Sequence, residues 1–96
     1  MGQIKWTEKS VTSLYSIYEY IAKDSKVYAS RFVTSLIKAT GVLKSQPLIG
    51  RIVPEFDNNA VREIIYRNYR IVYRVTNDSD VDILVVFHGK KEFSDI

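Results

Sequence analysis

The chain has 96 residues, 46% of them hydrophobic and 26% charged, with no cysteine, one histidine and a net charge of +3. Its length allows one domain, residues 1–96, and its apolar fraction is that of a folded chain rather than a disordered one. The missing cysteines exclude disulfides, thiolate chemistry and Cys-type zinc sites, and one histidine leaves no cluster for a catalytic metal, so no metal or cofactor is expected.

The longest apolar run, Ile83 to Phe87, is five residues, against about 20 for a helical membrane span. The opening Met-Gly-Gln-Ile-Lys-Trp has no apolar signal core, so the expected location is the cytoplasm.

Gln3 to Trp6 alternates and reads as a strand. Thr7 is placed to cap a helix, with Glu8 favourable in its first turn. Val11, Leu14, Tyr15, Tyr18, Ile21 and Ala22 then fall on one helical face. Lys23 to Lys26 breaks this pattern, and Asp24 or Ser25 can cap a second helix. Its stripe is Ala29, Phe32, Val33, Leu36, Ala39 or Thr40, and Leu43, with an end near Ser45 before Pro47. Gly41 falls inside that pattern and weakens it by about 1 kcal/mol relative to alanine. The two helices form an antiparallel hairpin.

Residues 46–61 contain Pro47, Gly50, Pro54 and Asp57-Asn58-Asn59 and read as one long irregular stretch, either functional or holding a helical turn. Three strands follow: Val61 to Arg67, Tyr69 to Thr76 and Val81 to His88, separated by turns at Arg67-Asn68 and Asn77 to Asp80. In the middle one, Ile71, Tyr73 and Val75 point one way and Arg70, Val72 and Arg74 the other. The helices are expected on the first face, leaving the arginine face to solvent or a ligand. The third strand is apolar on both sides and is expected to be central. The result is an α+β domain: an N-terminal strand, an antiparallel helical hairpin, then a three-stranded antiparallel meander.

Charge is uneven. Residues 1–50 hold seven Lys/Arg and three Asp/Glu, while residues 51–96 hold seven and eight. Arg62, Arg67, Arg70 and Arg74 nevertheless cluster, opposed only by Glu63, and arginine suits bidentate phosphate or carboxylate contact. A solvated sheet face explains the same cluster. The four glycines lie far apart, so no glycine-rich phosphate loop exists. Asp78, Asp80 and Asp82 alternate at a turn but lack the glycine and glutamate of a calcium loop. His88 ends an apolar strand and is more simply a structural residue. A catalytic role needs Lys90, Lys91, Arg70 and Arg62 to converge on it, which would suit phosphodiester chemistry.

The ordered set Gly50-Arg51-Ile-Val-Pro-Glu55, Val61-Arg62-Glu63-Ile64, Tyr69-Arg-Ile-Val-Tyr-Arg-Val75 and Ile83-Leu-Val-Val-Phe-His88-Gly-Lys-Lys91 resembles the RelE/ParE toxin superfamily. These are toxins of type II toxin–antitoxin modules, also called plasmid stabilisation proteins. The resemblance runs from Ile4 to Glu92, and the ParE-like branch matches best. It implies a non-enzymatic inhibitor of DNA gyrase, neutralised by a cognate antitoxin. The antitoxin's C-terminal helix and strand would wrap the toxin, an acidic tail covering Arg62, Arg70 and Lys91. The binding residues so implied are Arg51, Arg62, Arg70, Arg74, Lys90 and Lys91.

The alternative is a RelE-like ribosome-dependent mRNA endonuclease (an mRNA interferase), acting on mRNA at the ribosome without a metal. Arg70 matches that branch's central arginine, and Arg62 roughly matches one of its lysines. Lys91 stands where a late arginine would be. His88 matches a histidine used by other nuclease relatives. The branch's second lysine falls near Ile64, and its C-terminal tyrosine lies past Ile96. Convergence of Arg62, Arg70, His88 and Lys91 in one open cleft would favour the nuclease; their scatter, or pairing with Glu63 and Asp95, the inhibitor.

Overall fold

The computed structural model describes residues 2–77 and 79–90. The elements run β1 (Ile4–Trp6), α1 (Glu8–Ala22), α2 (Lys26–Ala39), a 3-10 turn (Thr40–Lys44), β2 (Arg51–Ile52), β3 (Val61–Tyr66), β4 (Tyr69–Val75) and β5 (Val81–His88). They form one five-stranded sheet in the order β1-β5-β4-β3-β2. The β3-β4-β5 meander is antiparallel as expected, and β2 continues it antiparallel to β3. β1 returns parallel to β5, with Ile4 opposite Val81.

Thr7 caps α1 by accepting the Ser10 amide at 3.3 Å and also donates its hydroxyl to the Ile83 carbonyl at 2.7 Å. One residue thus starts the helix and ties it to β5. Ser25 caps α2 through the Tyr28 amide. The helix ends at Ala39, short of the expected Ser45, because the chain tightens at Thr40. The Thr40 hydroxyl bonds back to the Ile37 carbonyl, and Gly41 offers little helix propensity beyond it.

The buried face of α1 differs from the apolar stripe. Ser10 and Ile17 are buried, while Val11 and Tyr15 are exposed. The reason is close approach: the Ser13 hydroxyl accepts the Val86 amide at 3.1 Å, so small serines lie against β5. Leu14, Ile17 and Ile21 complete the contact, packing with Leu36, Leu43, Ile71, Tyr73, Ile83 and Val86.

β5 is interior, between β1 and β4, with β4 itself in the middle of the sheet. A register shift at Val72/Tyr73 sets Val85 and Ile83 opposite these two, so Leu84 is an extra residue. The bulge explains a strand apolar on both sides: Ile83 and Val86 join the helix-side core, Val85 and Phe87 a second one.

That second core corrects the expectation of an open arginine face. Val53, from the segment after β2, is fully buried against Val61, Val72, Val85 and Phe87. The stretch 46–61 therefore contributes an edge strand and a cover for the outer face, and Arg70 lies beneath it at 9% exposure.

Candidate functional site

The arginines take different positions because strand parity separates them. Arg62 lies opposite Tyr73, on the side of the helices. Its guanidinium donates to the carbonyls of Leu48, Gly50 and Asn59 at 3.0–3.2 Å. Tyr73 adds to the same anchorage: its hydroxyl accepts the Gly50 amide at 2.9 Å and donates to the Pro47 carbonyl at 2.7 Å. Arg62 and Tyr73 therefore shape the loop that leads into β2.

Arg51 and Arg70 meet on the outer face, at Glu63. The Glu63 side chain is wholly buried, and its two oxygens each accept a guanidinium Nε at 2.5 Å, Oε2 from Arg51 and Oε1 from Arg70. Arg70 also donates Nη1 and Nη2 to the two oxygens of Glu55 at 3.2 and 3.3 Å, and its guanidinium lies 5.1 Å from the Phe87 ring centre. Burial pulls the Arg70 pKa down, but the bonds to Glu63 and Glu55 outweigh it, so the guanidinium is held above its usual range. The hydrogen bond from Arg70 draws Glu55 below the ordinary carboxylate range. Arg74, half-exposed, pairs with Asp82 across β5 at 3.6 Å.

A cavity of 440 Å³ opens where the β3–β4 turn meets the end of β5, lined by Ile65, Arg67, Tyr69, Arg70, His88 and Lys90 among others. Among the described residues, no acidic one lines it. Arg67, in the turn, adopts φ 55°, a region few residues other than glycine enter. Gly89 donates its amide to the Asn68 carbonyl at 2.7 Å, which closes the sheet end behind the cavity. The His88 ring stands edge-on to Tyr69 at 5.4 Å, and its Nδ1 accepts the Lys90 amide at 3.2 Å. A second cavity of 540 Å³, between α1 and β5, shares Tyr69 and His88 with the first.

Of the residues singled out by sequence, Arg70, His88 and Lys90 thus meet at one cavity. Arg62 lies on the sheet face opposite Arg70 and is held by the loop before β2, Arg51 lies on Glu63 and Arg74 on Asp82. Lys91 and Asp95 lie outside the described residues. Sequence reasoning put Arg67 in the arginine cluster and named Glu63 as a possible partner, but it did not place Tyr69 and Glu55 at the site or foresee that Glu63 is buried. The signal for Glu63 was its alternation with Val61, which puts a carboxylate among inward-facing positions that only a paired charge tolerates. Among the described residues no three Asp, Glu or His side chains gather as a metal site requires, and no helix is long and apolar enough to cross a membrane.

Known proteins share the fold. The chain is similar to a structure of the chromosomal ParDE toxin–antitoxin system from P. aeruginosa, with a TM-score of 0.75 and 23% identity over 92% of this chain and 96% of that one. It is also similar to the RelBE2 toxin–antitoxin complex from Mycobacterium tuberculosis, with a TM-score of 0.67 and 20% identity over 91% and 96%. No curated protein sequence matches significantly. The family profile described as the ParE toxin of the type II toxin–antitoxin system parDE matches residues 4–93. The chain belongs to the ParE toxin family of type II toxin–antitoxin systems.

Proposed function

We propose that this toxin inhibits DNA gyrase by binding rather than by catalysis, and that a cognate antitoxin neutralises it. The observation that carries this reading is the commitment of four of its arginines. Arg70 and Arg51 are held by Glu63 and Glu55, Arg74 by Asp82, and Arg62 by three loop carbonyls. Phosphodiester cleavage needs cations aimed at the developing charge of the transition state. Here carboxylates already neutralise the central arginine, and the Nδ1 of His88 accepts a backbone amide. The type II toxin family and the ParDE and RelBE2 relatives support an antitoxin as partner.

The test is induction of the toxin in cells, scoring gyrase-linked DNA breaks beside mRNA cleavage at ribosomes. Breaks with intact mRNA are expected. Stalled translation with intact DNA would refute the reading. The ribosome-dependent nuclease is a second reading for one reason: the cavity beside His88 gathers Arg67, Arg70 and Lys90 with no acidic residue among the described residues of its lining.

A further inference from the structure

We propose that the cavity between α1 and β5 binds an adenine mononucleotide, with the free edge of β5 reading the base and Arg67 and Lys90 taking the phosphates. The inference does not depend on which target the toxin has.

β5 has an open half-edge. β1 pairs only with Val81 to Ile83, so beyond the bulge no strand lies on that side among the described residues. The ladder to β4 decides which groups face outward. The Gly89 amide bonds to the Asn68 carbonyl, and Phe87 and His88 register with Arg70 and Tyr69. Bonded and non-bonded pairs alternate along an antiparallel ladder. Phe87 therefore bonds to β4, whereas Val86 and His88 turn their backbone groups away from it. The Val86 amide agrees, since it meets the Ser13 hydroxyl of α1 at 3.1 Å. Three groups remain in line: the Val86 carbonyl, the His88 amide and the His88 carbonyl. None has a hydrogen-bond partner among the described residues. Val86 is only 2% exposed, and a sheltered carbonyl of this kind is normally paired.

The surroundings select a small planar ligand. The cavity measures 540 Å³, within the usual range for small-molecule sites. A peptide strand is disfavoured because Ser13 already occupies the Val86 amide, which leaves an edge of two residues. Ile17 and Val86 give the cavity an apolar floor, and Tyr20, 69% exposed, lines it with a ring free to cover a base. The edge reads acceptor, donor, acceptor. Adenine presents the complement, an N6–H donor, the N1 acceptor and a weak C2–H donor. Guanine in the same register sets two like groups against the edge. The adjoining 440 Å³ cavity shares Tyr69 and His88 with this one, and the exposed cations Arg67 and Lys90 line it. A base held at His88 thus has a phosphate site beside it.

The test is titration of the full chain with ATP, followed by calorimetry and by the amide NMR signal of His88. ATP is expected to bind and to shift that signal. The 2-amino analogue of ATP replaces the weak C2–H donor with an N–H and should bind about threefold tighter, the net worth of one further hydrogen bond. GTP should bind at least about fivefold more weakly than ATP. Y20A should lower ATP affinity at least about fivefold through lost stacking, while Y20F retains it. R67Q/K90Q should lower ATP affinity about tenfold and leave adenosine binding unchanged. Thermal unfolding checks that each variant folds. Undetectable ATP binding at millimolar concentration would overturn the proposal, as would GTP or inorganic tripolyphosphate binding as tightly as ATP. So would no gain for the 2-amino analogue, an unaffected Y20A, or an oligoadenylate strand binding more tightly than ATP, which would mark a nucleic-acid track instead.

Discussion

Glu63 reaches diagonally across the sheet to Arg70. The glutamate sits opposite Val72, two positions along β4, and its Oε1 lies 2.5 Å from the Arg70 Nε. The guanidinium is therefore drawn along the strand towards the middle of the sheet. Its second oxygen binds Arg51, so one buried carboxylate joins β2, β3 and β4. Removing it leaves two cations without their shared partner. E63A is expected to destabilise the fold by about 3–5 kcal/mol, the usual cost of breaking a buried ion pair. E63Q should cost less, since it retains hydrogen-bonding capacity without the charge. Chemical denaturation checks both; a loss for E63A no larger than that for E55A would contradict the buried pairing.

Two carboxylates outside the core contribute to the acid response. The hydrogen bond from Arg70 lowers Glu55 from its ordinary 4.5, and the Gln3 amide, aided by the Asn77 side chain, lowers Asp80 from 3.8. A carboxylate whose folded pKa is depressed stabilises the fold fully above its unfolded pKa, and that stabilisation is lost as pH falls through the folded value. The melting temperature of the wild type should therefore drop as pH falls below 4.5. The double variant E55Q/D80N is expected to melt lower at neutral pH but to lose less on acidification. Parallel pH profiles for the two proteins would contradict the assignment.

The loop before β2 rests on Tyr73. Its hydroxyl is the acceptor for the buried Gly50 amide, so Y73F leaves that donor without its bond and should cost about 1–3 kcal/mol. Faster hydrogen exchange at the Gly50 amide, measured by NMR, should accompany it. Gly50 is itself constrained by space: a Cβ there would lie 2.6 Å from both the Glu63 carbonyl oxygen and the Tyr73 hydroxyl. G50A should thus destabilise the same loop through a clash with backbone and a buried ring, by an amount at least comparable to Y73F.

These contacts show where sequence reading succeeds and where it stops. The Thr7 and Ser25 caps, the meander and the outward parity of Arg70 and Arg74 follow from local pattern, because period and cap chemistry are properties of neighbouring residues. β2 is not local. Two residues become a strand only because Tyr73 and Arg62, distant in sequence, hold the preceding loop. The face of Arg62 depends on the register of β3 against β4, which a list of nearby arginines does not contain. The buried stripe of α1 was misread for a related reason. Serines reach the sheet by hydrogen bonding to Val86 and the helix backbone, and no hydrophobicity pattern records that.

The cation-lined cavity gives the last test. Arg67 and Lys90 are exposed and share the cavity with His88 and Arg70, while no acidic residue among the described ones joins them. Arg70 is neutralised by its own carboxylates, so among the described residues Arg67 and Lys90 carry most of the cavity's outward positive charge. If the antitoxin presents an acidic segment to this end of the sheet, reversing both charges should weaken the complex. R67E/K90E is expected to lower antitoxin affinity by about tenfold at low salt, largely through slower association, with the difference shrinking as salt screens it. The fold should tolerate both changes, because neither side chain is buried. Surface plasmon resonance across a salt series separates the alternatives. An unchanged association rate would place the acidic contact elsewhere on the toxin, and a salt-independent loss would point to packing rather than charge at this cavity.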